Sequence, residues 1–76
     1  MRVDLRERLG RNVRALREAQ GWSQEEYADR SGLHRTYVSA IERGRRNPTI
    51  DVVERLAAPF GVEPGSLLGD PGKQLD

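Results

Sequence analysis

Arg35, Thr36, Ser39 and Arg43 follow one another at spacings of one, three and four residues, and Arg45 and Arg46 come just beyond Gly44. On a helix that spacing gathers the side chains along one side. A guanidinium is a planar fork of donors that matches phosphate oxygens and the O6 and N7 acceptors of guanine. Hydroxyls add short donors and acceptors for neighbouring base edges. A helix exposing Arg, Thr and Ser beside a run of arginines meets the chemical requirements for entering the major groove of a duplex. Of the thirteen basic residues in this chain of 76, only Lys73 is not arginine.

The net charge of +1 hides a strong segregation. Residues 1–20 hold six Arg against three acids, and residues 33–47 hold four Arg against one acid. The segments 21–32 and 48–76 are acidic in balance. Other chemistries find little support. There is no cysteine, so disulfides, thiolate metal sites and a Cys nucleophile are excluded. His34 is the single histidine, and no Ser–His–Asp arrangement is readable around it. Glu25, Glu26 and Asp29 form an acidic face, the first two better explained by the positive end of a helix than by a metal. No paired catalytic carboxylates, nucleophile–base pair or phosphate-cradling glycine loop appears, so an enzyme is not expected. No metal, cofactor or small-molecule effector is expected either. The proline inside Asn47-Pro48-Thr49 disqualifies it as a glycosylation acceptor.

A chain of this size buries only about 60–65% of its unfolded surface, so it makes one domain with a small core. The composition is polar, with 36% hydrophobic residues, 33% charged residues and a mean hydropathy of −0.77. The apolar residues nevertheless recur at helical spacing, which disfavours disorder. No apolar run approaches the ~18 residues of a membrane span, and no apolar stretch follows Met1-Arg2-Val3-Asp4 as in a secretory leader. The expected location is the cytoplasm, in association with the nucleoid.

Five helices must carry these residues. Leu5, Leu9, Val13 and Leu16 predict a first helix over about 4–20, ended by Gly21. Ser23 caps a second helix, with Glu26 completing an S-x-x-E box, and Tyr27 and Ala28 facing inward until Ser31-Gly32. A third begins just after Leu33, is anchored by Val38 and Ile41, and stops at Gly44; its outward face is Arg35, Thr36, Ser39, Ala40 and Arg43. Ala28, Gly32, Val38 and Ile41 are spaced so that two short helices can cross sharply. Thr49 caps a fourth helix with the stripe Val52, Val53, Leu56, Ala57 and Phe60. Pro64 opens a last short helix carrying Leu67 and Leu68. Trp22 and Tyr27 are expected in the core. The result is an all-α, compact five-helix bundle: a domain over 1–68, with a helix-turn-helix at about 23–43, and a flexible tail over 69–76.

Gly21-Trp22-Ser23-Gln24-Glu25-Glu26, Ala28, Ser31-Gly32-Leu33 and the block from Arg35 to Thr49 resemble the helix-turn-helix regulators of the lambda-repressor and Cro type, the XRE family. Within that family the sequence is similar to controller proteins of restriction–modification systems. The resemblance spans about residues 6–68 and is most specific over 35–49. It implies that Arg35 and Thr36 reach base edges, and that Gln24 contacts phosphate at the start of the second helix. It places Tyr37 near the operator centre or backbone, and gives Ser39, Arg43, Arg46 and Asn47 backbone or additional base contacts. It also implies an ion pair between Arg17 and Glu42. Ser31 stands where relatives often carry an apolar residue, and His34 where they carry an acid, Thr or Ser.

The expected function is sequence-specific binding of double-stranded DNA by a homodimeric transcriptional regulator that reads a pseudo-palindromic operator through the helix at about 34–43. One recognition helix reads only a few base pairs, so specificity calls for two. Phe60, Val62, Leu67 and Leu68 are the apolar residues left once four helices have packed, and are expected at the dimer interface. The alternative is an antitoxin-type interaction module that also regulates its own promoter.

Overall fold

The computed structural model describes residues 4–70, and every regular element among them is helical. Four α-helices follow one another: α1 over Leu5–Ala19, α2 over Gln24–Ser31, α3 over Arg35–Glu42 and α4 over Ile50–Ala57. Two 3-10 helices follow, at Ala58–Phe60 and Pro64–Leu68. The expectation of five helices is therefore corrected to four plus two 3-10 segments. Pro59 lacks an amide proton just past the end of α4, and the Pro64 segment is only five residues long. Its bonds are of the tighter kind, such as Gly69 N to Ser66 O at 3.3 Å.

The helix starts are written in short polar side chains. Ser23 Oγ accepts from Glu26 N at 3.0 Å, and Thr49 Oγ1 accepts from Val52 N at 3.3 Å. Glu26 does not complete a reciprocal box; its carboxylate receives Arg30 Nη2 at 2.9 Å instead. Between α2 and α3 the chain turns at Gly32, whose φ of 72° lies in the left-handed region. That turn lets Leu33 N reach back to Ala28 O at 3.0 Å.

The core gathers Leu9 and Val13 of α1, Tyr27 and Ala28 of α2, Val38 and Ile41 of α3, Leu56 and Ala57 of α4, and Leu67. A fully buried aliphatic side chain of this kind contributes about 1.5–3 kcal/mol. Polar groups inside are satisfied. Tyr27 donates its hydroxyl to Leu56 O at 2.6 Å, and Ser31 Oγ donates to Tyr27 O at 2.9 Å within its own helix. That local bond satisfies the hydroxyl of a serine that is 7% exposed. Gly10 lies where α1 meets α3: a Cβ built there would stand 2.5 Å from Ile41 O.

Two expectations about burial are corrected. Leu67, assigned to a dimer interface, is 0% exposed and belongs to the core. Asn12 holds that segment against α1, donating to Leu67 O at 2.7 Å and Gly69 O at 3.0 Å. Gly69 is thus part of the fold, whereas 71–76 of the expected tail lie outside the described residues. Leu5, placed in the buried stripe of the first helix, is 52% exposed. It is the first residue of α1, a turn before the buried Leu9.

Candidate nucleic-acid interface

The arginine-bearing face is built on α3, and what lies beneath it determines how firmly it is held. Val38 and Ile41 are at most 1% exposed, fastening α3 to the core from below. At its far end Glu42 receives Arg17 of α1 through two bonds, Nε to Oε2 at 2.6 Å and Nη2 to Oε1 at 3.0 Å. Arg17 uses its third nitrogen on Trp22 O at 2.8 Å. Gln24, at the start of α2, donates to Glu42 Oε1 at 3.1 Å. One carboxylate therefore gathers α1, the start of α2 and the end of α3. The bond to Glu42 holds the Arg17 guanidinium above its ordinary value, keeping it charged.

On the outer side, Arg35, Thr36 and Arg43 are exposed and Ser39 is half-buried. Ala40, grouped with them in the outward face, is buried. It falls three positions after Tyr37 and beside Ile41, on the flank of the packed side. Tyr37 is half-buried, and the Arg46 guanidinium sits 5.3 Å from its ring centroid. Two residues assigned to the backbone are thus brought together by a cation–π contact. Arg35, Arg43, Arg45 and Arg46 form no ion pair among the described residues, so their donors face solvent. Such a cluster of uncompensated guanidinium groups is an anion-attracting surface.

Asn47 is exposed but opens on a different feature: a shallow apolar depression lined by Leu5, Pro48, Ile50, Val53 and Leu68. Ile50 is 79% exposed there. Of the four residues expected at a dimer interface, only Leu68 lines this depression. Phe60 is stacked on Tyr27 at 4.9 Å and on Trp22 at 5.7 Å between ring centroids, closing the core beside α2. Val62 is half-buried against the same core.

Reading by periodicity missed Ile50, whose position directly after the Thr49 cap puts it at the outer edge of the stripe. It also missed His34 as the cap of α3: Nδ1 accepts from Thr36 N at 3.1 Å. The position itself was the available signal, two residues before Thr36 and directly before the first helical residue.

Two short helices joined by a glycine turn, the second presenting an arginine-lined face, define a helix-turn-helix domain. Comparison with known proteins agrees. The helix-turn-helix family HTH_3 matches residues 13–67, and the chain belongs to this XRE-type family of DNA-binding transcriptional regulators. It is similar to the crystal structure of a hypothetical transcription factor from Neisseria, with 48% identity and a TM-score of 0.86 over 93% of this chain and 82% of that one. It is 42% identical to the control protein C.BamHI of Bacillus amyloliquefaciens, over 90% of this chain and 85% of that protein. The solved structure of the biofilm regulator SinR in complex with DNA is also similar, at 32% identity and a TM-score of 0.75 over 80% and 98% of the two chains. Among the described residues no helix is long and apolar enough to cross a membrane.

Proposed function

We propose that the chain binds double-stranded DNA sequence-specifically as a homodimer, each copy laying α3 in the major groove of one operator half-site. The observation that carries this reading is the exposed Arg35–Thr36 edge, with Arg35 in no ion pair among the described residues, on a helix locked from beneath by Val38, Ile41 and the Arg17–Glu42 pair. Arg35 and Thr36 read bases, with Ser39 beside them. Arg43, Arg46 and Tyr37 hold phosphates at one wall of the groove, and Gln24 does so at the other. The free hydrogen of the Gln24 amide and the start of α2 suit that task.

The dimer face in this proposal is the depression around Leu5, Ile50, Val53 and Leu68 rather than Leu67. Leu5 and Ile50, 52% and 79% exposed, are the large hydrophobic side chains that face solvent there among the described residues, and pairing would cover both. Half-sites one turn of DNA (~34 Å) apart require two α3 helices at that separation, which pairing through this face must provide. Sedimentation with a selected operator tests it. Ile50→Asp should give a folded monomer that binds operator at least about tenfold more weakly, whereas Leu67→Asp should unfold the domain. A wild-type chain that stays monomeric on its operator at high micromolar concentration would overturn the dimer.

A further inference from the structure

The imidazole of His34 makes two contacts with the same residue. Its Nδ1 lies 3.1 Å from the backbone N of Thr36 and 2.8 Å from Thr36 Oγ1. A backbone N–H can only donate, so Nδ1 is the ring nitrogen without a proton. The hydroxyl then meets that nitrogen at 2.8 Å by turning its own hydrogen toward the ring and sharing the nitrogen's one lone pair with the backbone N–H. Thr36 is exposed, so what its oxygen offers outward is lone pairs and no proton. A side chain that could have either donated or accepted is held as an acceptor.

The major groove sorts acceptors from donors. Adenine N6 and cytosine N4 present hydrogens there, whereas thymine O4 and guanine O6 and N7 present lone pairs. We infer that His34 is a positioning residue that fixes the hydrogen-bonding polarity of Thr36, so that the base facing Thr36 is chosen for an exocyclic amine, adenine or cytosine, over thymine or guanine. The inference rests on the reading of α3 as the helix that enters the groove. His34 itself touches no base in this scheme. It lines a depression with Glu25 and Asp29 of α2 and Arg35 of α3, and acts through Thr36 alone.

The test is selection of bound sequences from a library randomised across the half-site, at one stated salt concentration. The proteins are the wild type, His34→Asn, His34→Gly, Thr36→Val and Arg35→Ala. Asn keeps an oxygen acceptor at the cap, and Gly is a tolerated cap that removes the acceptor without removing the fold. The wild type and His34→Asn should share a preference for adenine or cytosine at one position. His34→Gly and Thr36→Val should each lose it by about fivefold, the worth of one net hydrogen bond. A merely structural role for His34 would weaken all sequences equally and leave that position unchanged, which overturns the inference. So does a thymine or guanine preference in the wild type. A motif altered by Arg35→Ala but untouched by Thr36→Val removes this inference and leaves α3 as reader. A motif altered by neither removes both.

Discussion

Arg17 and Glu42 meet side by side, two nitrogens against two oxygens at 2.6 and 3.0 Å, with only 12% and 4% of their side chains exposed. The remaining Arg17 donor and the Gln24 amide complete the set, so neither charge is left with unmet partners at the junction of α1, α2 and α3. Pairs of this kind are worth less for net stability than for what happens when one member is removed.

Glu42→Ala should therefore lower stability by about 3–5 kcal/mol, because a nearly buried guanidinium loses the carboxylate bonded to it. Glu25→Ala, at an exposed position in the first turn of α2, should cost no more than about 1 kcal/mol. Urea denaturation of the two variants compares them directly. Coincident midpoints would contradict the structural role of the pair.

Tyr27 should make the stability of the fold fall at alkaline pH. Burial, with a smaller contribution from the Glu42 charge, pushes its phenol well above the ordinary value of about 10. Because the folded state holds the proton more tightly than the unfolded chain, the stabilisation is complete below the unfolded value. It is lost as pH rises from there toward the folded one. The slope approaches about 1.4 kcal/mol per pH unit for one proton. Tyr27→Phe should flatten that decline while costing about 1 kcal/mol at neutral pH for the lost bond to Leu56 O. An unchanged alkaline slope in the variant would assign the decline elsewhere.

Gly10→Ala should push α1 away from α3, since the added carbon would meet Ile41 O at 2.5 Å and Glu42 O at 2.8 Å. Carbonyls of a packed helix end cannot swing aside, so overpacking costs about 1–3 kcal/mol. Gly65→Ala, with nothing within 4 Å, is the matched control and should stay within about 0.5 kcal/mol. Thermal melts of both variants check the difference. Equal melts would mean the helices have room to separate.

What the sequence made legible was local. Ser23 and Thr49 announce helix starts through bonds that span three residues, and Gly32 announces a turn through its own backbone freedom. The exposed edge of α3 followed from periodicity, apart from Ala40. What stayed hidden depends on residues far apart in the chain. Leu67 packs in the core beside residues of distant helices, and Asn12, fifty-five positions earlier, holds its carbonyl; no period of 3.6 reveals either. Nothing local marks Gly10, whose close approach to the Ile41 and Glu42 carbonyls of α3 comes from the crossing of two helices. Leu5 fits the stripe of α1 yet lies at the helix end, on the apolar depression with Ile50 rather than under the core. His34 carries no catalytic pattern in the sequence, and its ring contact with Thr36 depends on the conformation of both side chains.

The central claim is that α3 reads bases through Arg35 while Arg46, stacked on Tyr37, holds the backbone. Selection of bound DNA with Arg35→Ala and Arg46→Ala, repeated across a salt series, tests it most directly. Arg35→Ala should flatten the preference at one base position in each half-site, worth about 1–3 kcal/mol of discrimination, with folding unchanged. Arg46→Ala should keep the motif, weaken all sequences alike and reduce the salt slope by about one per half-site. An unchanged motif with Arg35→Ala together with an altered one with Arg46→Ala would contradict the assignment, and no effect from either would remove α3 from the interface.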